Sequence, residues 1–229
     1  MDMTAVTTLI AELIGTIAFA LSGGLTAIDR RLDFFGIIVL SIITAVGGGL
    51  IRDLILGSTP PAMFVNYIYV TLAFSSAVFL LVFGSAFRRQ LSKSLKIVLF
   101  GINIFDAVGL GIFTIVGMNT AIAAGYENNR FLMIFVGVVT GIGGGMLRDI
   151  FVGRTPQVLK KDVYAMAAIT GAILYAYTFS VLPTPLAMLL SASVVIVIRL
   201  LAIFHHWNLP VVTAEKDISR TILKRHINK

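Results

Sequence analysis

Two short stretches of this sequence join residue types that seldom share an apolar segment. Gly47-Gly48-Gly49-Leu50-Ile51-Arg52-Asp53 runs on to Gly57-Ser58-Thr59-Pro60. Gly143-Gly144-Gly145-Met146-Leu147-Arg148-Asp149 runs on to Gly153-Arg154-Thr155-Pro156. Each glycine weakens a helix by about 1 kcal/mol relative to alanine. Each intramembrane charge costs roughly 2.5–3.5 kcal/mol on insertion scales. Both copies lie in long apolar runs and keep the same order, so they read as two related breaks in two membrane helices lining one polar path. The chemistry on offer is ion handling: carbonyls freed at a glycine break, with fixed charges of both signs beside them.

Other polar residues within the apolar runs extend this set. Glu12 and Asp106 open equivalent helices and would attract cations at the mouth or wall of a path, or else serve as interfacial acids. Asn103 sits one turn before Asp106. The hydroxyls of Ser22, Thr44 and Thr140 either face an ion or bond their own helix. Adjacent helical residues diverge by about 100°, so Arg52 and Asp53 are not expected to point the same way. Pairing between the copies, Arg52 with Asp149 and Arg148 with Asp53, competes with each arginine snorkelling to its nearer interface. The glycine runs also have a second reading, in which they only let neighbouring helices pack closely.

Catalytic constellations find little support. His205, His206 and His226 all fall at or beyond the end of the last apolar run, and there is no cysteine. His205-His206-Trp207 suits an interfacial anchor better than a ligand set. Gly141-Ile142-Gly143-Gly144-Gly145-Met146 misses the last position of the dinucleotide fingerprint, and neither glycine run ends as a P-loop does. No catalytic residue, metal site or nucleotide site is expected.

The elements that must carry these residues are membrane helices. Hydrophobic residues make up 58% of the 229 positions and charged ones 13%, about half the charged fraction of a typical soluble domain. Several apolar runs exceed the roughly 18 residues that suggest a span. The sequence predicts an all-α integral membrane protein with seven transmembrane helices. The spans run from about Thr4 to Ala27, Phe34 to Gly57, Pro61 to Phe87, Leu95 to Ala124, Phe131 to Val152, Lys160 to Leu182 and Leu186 to Phe204. Thr59-Pro60 and Thr155-Pro156 read as an N-cap with the first helical residue. Met1-Asp2 lacks the basic start of a cleavable signal, so the first helix is expected to stay inserted.

The formal net charge of +7 speaks to orientation here, not to nucleic acid. Nearly all Lys and Arg outside the spans fall in the linkers after spans 1, 3 and 5 (Arg30, Arg31, Arg88, Arg89, Lys93, Lys96, Lys160, Lys161) and in the tail (Lys216, Arg220, Lys224, Arg225, Lys229). The positive-inside rule then puts the C-terminus in the cytoplasm and the N-terminus outside, in a cell inner (plasma) membrane. In the tail Ile218, Ile222 and Leu223 share a helical face; it either lies on the anionic leaflet or is disordered.

The repeat extends beyond the glycines. Glu12, Gly15, Phe19, Gly23 and Ala27 have the mutual spacing of Asp106, Gly109, Phe113, Gly117 and Ala121. Residues 1–87 thus form one three-helix unit and 88–182 a second. Three is odd, so the units cross the membrane in opposite senses, an inverted repeat. Residues 183–208 add an unpaired seventh helix and 209–229 a basic tail.

The doubled Gly-Gly-Gly-x-x-Arg-Asp, each copy followed by Gly-x-Thr-Pro, resembles the prokaryotic members of the trimeric intracellular cation (TRIC) channel family. So does Asp106-Ala107-Val108-Gly109-Leu110-Gly111-Ile112-Phe113. The resemblance covers about residues 5 to 205. It implies a homotrimer with a pore in each protomer, lined by helices 2 and 5 kinked at the glycines, with help from helices 1 and 4. It implies passage of monovalent cations, chiefly potassium; on that channel reading Arg52 and Arg148 would gate or tune the path rather than attract the cation. The implied partners are other copies of the chain, membrane lipids and monovalent cations, with no nucleic acid. No cofactor is implied beyond the permeant K+ or Na+ and a bound lipid. Animal relatives balance charge during calcium release and bind phosphoinositides; no calcium-binding loop is visible here, and those features are not carried over. Bacterial sequences of this type also bear the name glycine transporter. This keeps a secondary transporter of a small zwitterion as the alternative, with half-helix N-termini at the breaks taking the carboxylate. A scaffold that only packs trimers would leave the intramembrane charges unexplained.

Overall fold

Long runs of Leu, Ile, Val, Ala and Phe with few breakers give helix, since in lipid the backbone amides must find partners within their own segment. The computed structural model describes residues 3–91, 95–160, 162–205 and 207. Its helices are α1 (Met3–Asp29), α2 (Phe34–Ile55), α3 (Ala62–Val65), α4 (Ile68–Leu91) and α5 (Leu95–Ala121), which ends in a π-helical turn (Ile122–Tyr126). They continue with α6 (Arg130–Phe151), α7 (Gln157–Lys160), α8 (Asp162–Thr178) and α9 (Thr184–Phe204). Among the described residues there is no strand. Asp33 and Asn129 start α2 and α6 alike: their side chains accept from the amides of Gly36 (2.7 Å) and Leu132 (3.0 Å), satisfying donors that a helix start leaves open. The expected amphipathic tail and the side chains of the basic linker around Arg88 and Lys96 lie outside the described residues, as do Lys161, His206 and His226.

The chain is a multi-pass membrane protein. Among the described residues five helical segments are long and apolar enough to cross a bilayer: α1, α2, Ile97–Tyr126, α6 and α9. Two further apolar segments, Ile68–Phe83 and Val163–Thr178, are shorter. The five long segments fall at the first, second, fourth, fifth and seventh expected spans, and the two shorter ones lie within the third and sixth. The third expected span is divided, because Asn66 and Tyr67 leave the helix between α3 and α4.

The glycine runs correct one expectation. Neither unwinds: α2 and α6 continue as helix through Gly47–Gly49 and Gly143–Gly145. Their glycines serve close approach instead. A Cβ on Gly48 would run into the Thr140 carbonyl oxygen, and a Cβ on Gly144 into the Thr44 carbonyl oxygen. The contact is reciprocal, so the two helices cross backbone to backbone. A Cβ on Gly143 would lie 3.1 Å from Cα of Gly48. Helices α1 and α5 repeat the device beside them. Gly15 lies under Phe113 and Gly109 under Phe19, and the two rings stand 5.3 Å apart. The four helices therefore share one centre, built from small residues and two interlocked phenylalanines. Helices α8 and α9 close over the α5–α6 side, with Val195 seated on Gly171. Exposed side chains such as Phe74, Phe79 and Phe83 line the outside of α4.

The glycines of each triplet are not equivalent. At Gly49 an added Cβ would meet nothing nearer than the Arg52 guanidinium at 3.7 Å. Gly48→Ala and Gly144→Ala force backbone apart and should each destabilise by about 1–3 kcal/mol, the usual range for overpacking. Gly49→Ala should be neutral or slightly stabilising. Thermal unfolding of the purified variants in one detergent checks the ranking.

Candidate functional site

The two Arg-Asp motifs fold into the same local structure. Each helix ends on a glycine in the left-handed region, Gly57 (φ 71°) and Gly153 (φ 66°). The amides of Ser58 and Arg154 then close back onto the carbonyls of Asp53 and Asp149, both at 2.8 Å, and those of Gly57 and Gly153 onto Leu54 (3.3 Å) and Ile150 (3.0 Å). This is a Schellman end, which needs glycine at the turn. It brings the following segment back beneath the aspartate. Asp53 Oδ2 accepts from the Ala62 amide at 2.8 Å, and Asp149 Oδ2 from the Gln157 amide at 2.9 Å. The aspartates thus cap α3 and α7. Thr59-Pro60 was expected to cap the first of these; Pro61, whose side chain cannot accept a hydrogen bond, precedes α3 instead, and the Asp53 carboxylate takes the Ala62 amide.

The arginines pair within their own motifs. Arg52 Nε donates to Asp53 Oδ1 at 2.8 Å, and Arg148 Nε to Asp149 Oδ1 at 2.9 Å. The 100° divergence fixes where the Cβ atoms point, but a long arginine stem reaches round the helix end and cancels it. The expected pairs Arg52–Asp149 and Arg148–Asp53 do not form. Helix α1 shows why. Arg52 Nη1 lies 3.7 Å from Glu12 Oε1, whereas Arg148 Nη1 donates to Ser22 Oγ at 2.7 Å. Ten residues of helix separate Glu12 from Ser22, about 15 Å of rise, so the two clusters stand at opposite ends of the core.

Their environments differ. Arg148 also donates to Asp106 Oδ1 at 2.6 Å, and Arg148 (1% exposed), Asp106 (0%) and Asp149 (3%) are sealed from solvent. In the first cluster Glu12 is only half-buried, and Tyr69 Oη donates to its Oε2 at 2.5 Å. A small recess opens there, lined by Glu12, Thr16, Gly49, Arg52, Tyr69 and Phe113 among others. Thr44 and Thr140 spend their hydroxyls on their own helices, donating to the carbonyls of Leu40 and Val136 at 2.6 Å. Ser22 donates to the Ile102 carbonyl at 3.3 Å while accepting from Arg148. Asn103 is half-buried and stays outside the Arg148 cluster. Gly145 borders that cluster: a Cβ there would meet Tyr164 Oη at 2.8 Å and Asp106 Oδ1 at 3.3 Å.

Four participants escape a reading based on the glycine motifs. Tyr69 and Tyr164 occupy matching places over Glu12 and Asp106, and their like spacing after Asp53 and Asp149 is visible in the sequence. Arg154 pairs with Asp29, tying the α6–α7 connection to the end of α1. Arg199 is the lone charge in the apolar run from Leu186 to Phe204, which was itself a usable signal.

Helices crossing on glycine, with an arginine paired to two carboxylates at each end, define a class of polytopic membrane proteins built to hold fixed charge inside a bilayer. The comparisons with known proteins are specific. The model of the Glycine transporter family matches the chain twice, over residues 9–85 and 103–180. The UPF0126 inner membrane protein YadS of Escherichia coli K12 is 37% identical over 209 residues, covering 90% of this chain and 96% of that one. A structure described as the basis for conductance through TRIC cation channels is 34% identical, with a TM-score of 0.76 over 90% of this chain and 97% of its own. The TRIC trimeric intracellular cation channel orthologue from Rhodobacter sphaeroides is 29% identical, with a TM-score of 0.79 over 87% and 98%. The chain belongs to the prokaryotic TRIC channel family.

The two clusters should differ in what they contribute to stability. Removing one partner of a sealed ion pair leaves the other charge buried, at about 3–5 kcal/mol. Asp106→Asn and Arg148→Ala should lose stability on that scale. Glu12→Gln should lose under about 1 kcal/mol, as a partly solvated pair does. Urea unfolding of the three variants in mild detergent checks the order.

Proposed function

We propose that the protein is a channel for monovalent cations, with potassium the main permeant ion and one path inside each protomer of a homotrimer. The observation that carries this reading is the pair of charge clusters roughly 15 Å apart along α1, each arginine neutralised by carboxylates of its own end. An arginine held this way does not repel a passing cation with its full charge, and releasing it would change the field along the path. Arg52, Asp53, Arg148 and Asp149 are thus the proposed gate charges, and Glu12, Ser22, Thr44, Asn103, Asp106 and Thr140 the proposed wall. Within Gly47–Gly49 and Gly143–Gly145, the glycines Gly47, Gly48, Gly143 and Gly144 bring α2 and α6 together at the proposed narrowest point, where bending rather than unwinding would widen it. Relatives described as TRIC cation channels support the reading.

The proposed frame is that of the sequence: units 1–87 and 88–182 crossing in opposite senses, 183–208 as the unpaired helix, 209–229 as a basic tail, N-terminus outside and C-terminus cytoplasmic. Lipids are the other proposed partners, and no cofactor is needed beyond the permeant K+ or Na+.

The family model's name favours a second reading, a carrier of a small zwitterion such as glycine. Its structural footing was half-helix N-termini at the glycine breaks, and α2 and α6 run through those positions as helix. Proteoliposomes separate the two. The channel gives electrogenic potassium flux that does not saturate, and Arg148→Ala or Asp149→Asn alters single-channel current. Saturable, gradient-driven uptake of labelled glycine without potassium conductance from well-folded protein would overturn the proposal in favour of the carrier.

A further inference from the structure

Helix α9 has no counterpart in the first half of the chain, and it brings one charge. Arg199 is 1% exposed and forms no ion pair among the described residues. Its guanidinium lies over the Tyr164 ring, 4.6 Å from the centroid. One nitrogen reaches Gln157 Oε1 at 3.5 Å, and Nε has no partner. A buried cation with so few bonds needs compensation nearby.

The two clusters supply the reason for its position. At the first, Arg52 faces Glu12 and Asp53, leaving one net negative charge. At the second, Arg148 faces Asp106 and Asp149, with the same balance. Tyr164 joins Arg199 to this second group. Its ring carries the guanidinium, and its hydroxyl stands beside Asp106 and Arg148 at the Cα of Gly145. Counting Arg199, the second cluster is neutral and the first is not. The surroundings follow the charge. The second cluster is closed by α8 and α9, and Asp106 Oδ2, Arg148 Nη2 and Tyr164 Oη have no partner within it. The first has Tyr69 in the place of Tyr164, an open recess and, among the described residues, no arginine over that ring.

We propose that Arg199 is a positioning residue that neutralises and seals the Asp106 cluster, so that the two ends of the path are unequal and cations collect at the Glu12 end. This rests on the channel reading above. A lone negative charge at one mouth concentrates cations there, so current should rectify in symmetric solutions. With Arg199→Gln both ends carry the same net charge and the rectification falls.

Planar-bilayer recordings in symmetric KCl test this. At about 0.1 M salt, where charges act over roughly 10 Å, the wild type should rectify about twofold or more. Arg199→Gln should be close to linear, and Arg199→Lys should keep the asymmetry. At about 1 M salt, where the range is roughly 3 Å, wild type and Arg199→Gln should converge. Rectification in Arg199→Gln equal to that of the wild type would overturn the proposal.

A second measurement does not depend on conduction. The chain has no cysteine, so Val158→Cys, half-buried in the packing around Tyr164, offers a single thiol. Its reaction with a neutral methanethiosulfonate should quicken about tenfold when Arg199→Gln is added, since the seal then opens more often. An unchanged rate overturns the seal. Faster labelling in a protein that carries no current upholds the seal and overturns the channel reading instead. Should Arg199→Gln not yield folded protein, Arg199→Met, which keeps the bulk and loses the charge, carries the same expectations in both assays.

Discussion

One contact governs the arrangement: α2 crosses α6 at Gly48 and Gly144, with no side chain between the backbones. Lipid tails give helices little hydrophobic reason to associate, so close packing must do the work. The reciprocal approach of each glycine to a threonine carbonyl fixes both the separation and the register of the pair. With that register set, each helix end projects away from the crossing. Arg52 and Arg148 end up far apart, and α1 is long enough to touch both clusters. The Phe19–Phe113 pair locks α1 and α5 in the same way.

The charges are then handled locally. In low dielectric an unpaired arginine would be severely destabilising, and each motif carries its own remedy in the next residue. The Schellman turn matters as much as the ion pair, because it returns the chain so that the second carboxylate oxygen also finds a donor. Both oxygens of Asp53 and of Asp149 thus have a protein donor before any solvent or ion is considered. Glu12, with longer reach and partial exposure, is the carboxylate with freedom left.

Much of this was legible in the sequence. Hydropathy marks the helical segments within a few residues, and the matched spacing of Gly15 and Phe19 with Gly109 and Phe113 anticipates the reciprocal α1–α5 contact. The residues of the charge clusters were also visible as intramembrane charges. Their partners were not. Helical angle alone set Arg52 and Asp53 apart, because a wheel diagram ignores how far an arginine stem travels. The glycines were read as breaks because propensity in isolation says so; a neighbouring backbone at contact distance outweighs about 1 kcal/mol per glycine. Arg199 belongs to no repeat, and its only signal in the sequence is that of a single charge in an apolar run.

The double duty of Asp53 and Asp149 has a mechanical corollary. One oxygen grips the arginine and the other grips the first amide of the next short helix. An arginine cannot swing away without loosening the joint between α2 and α3, or between α6 and α7. The hold on each arginine and the anchoring of the following short helix therefore rest on a single carboxylate.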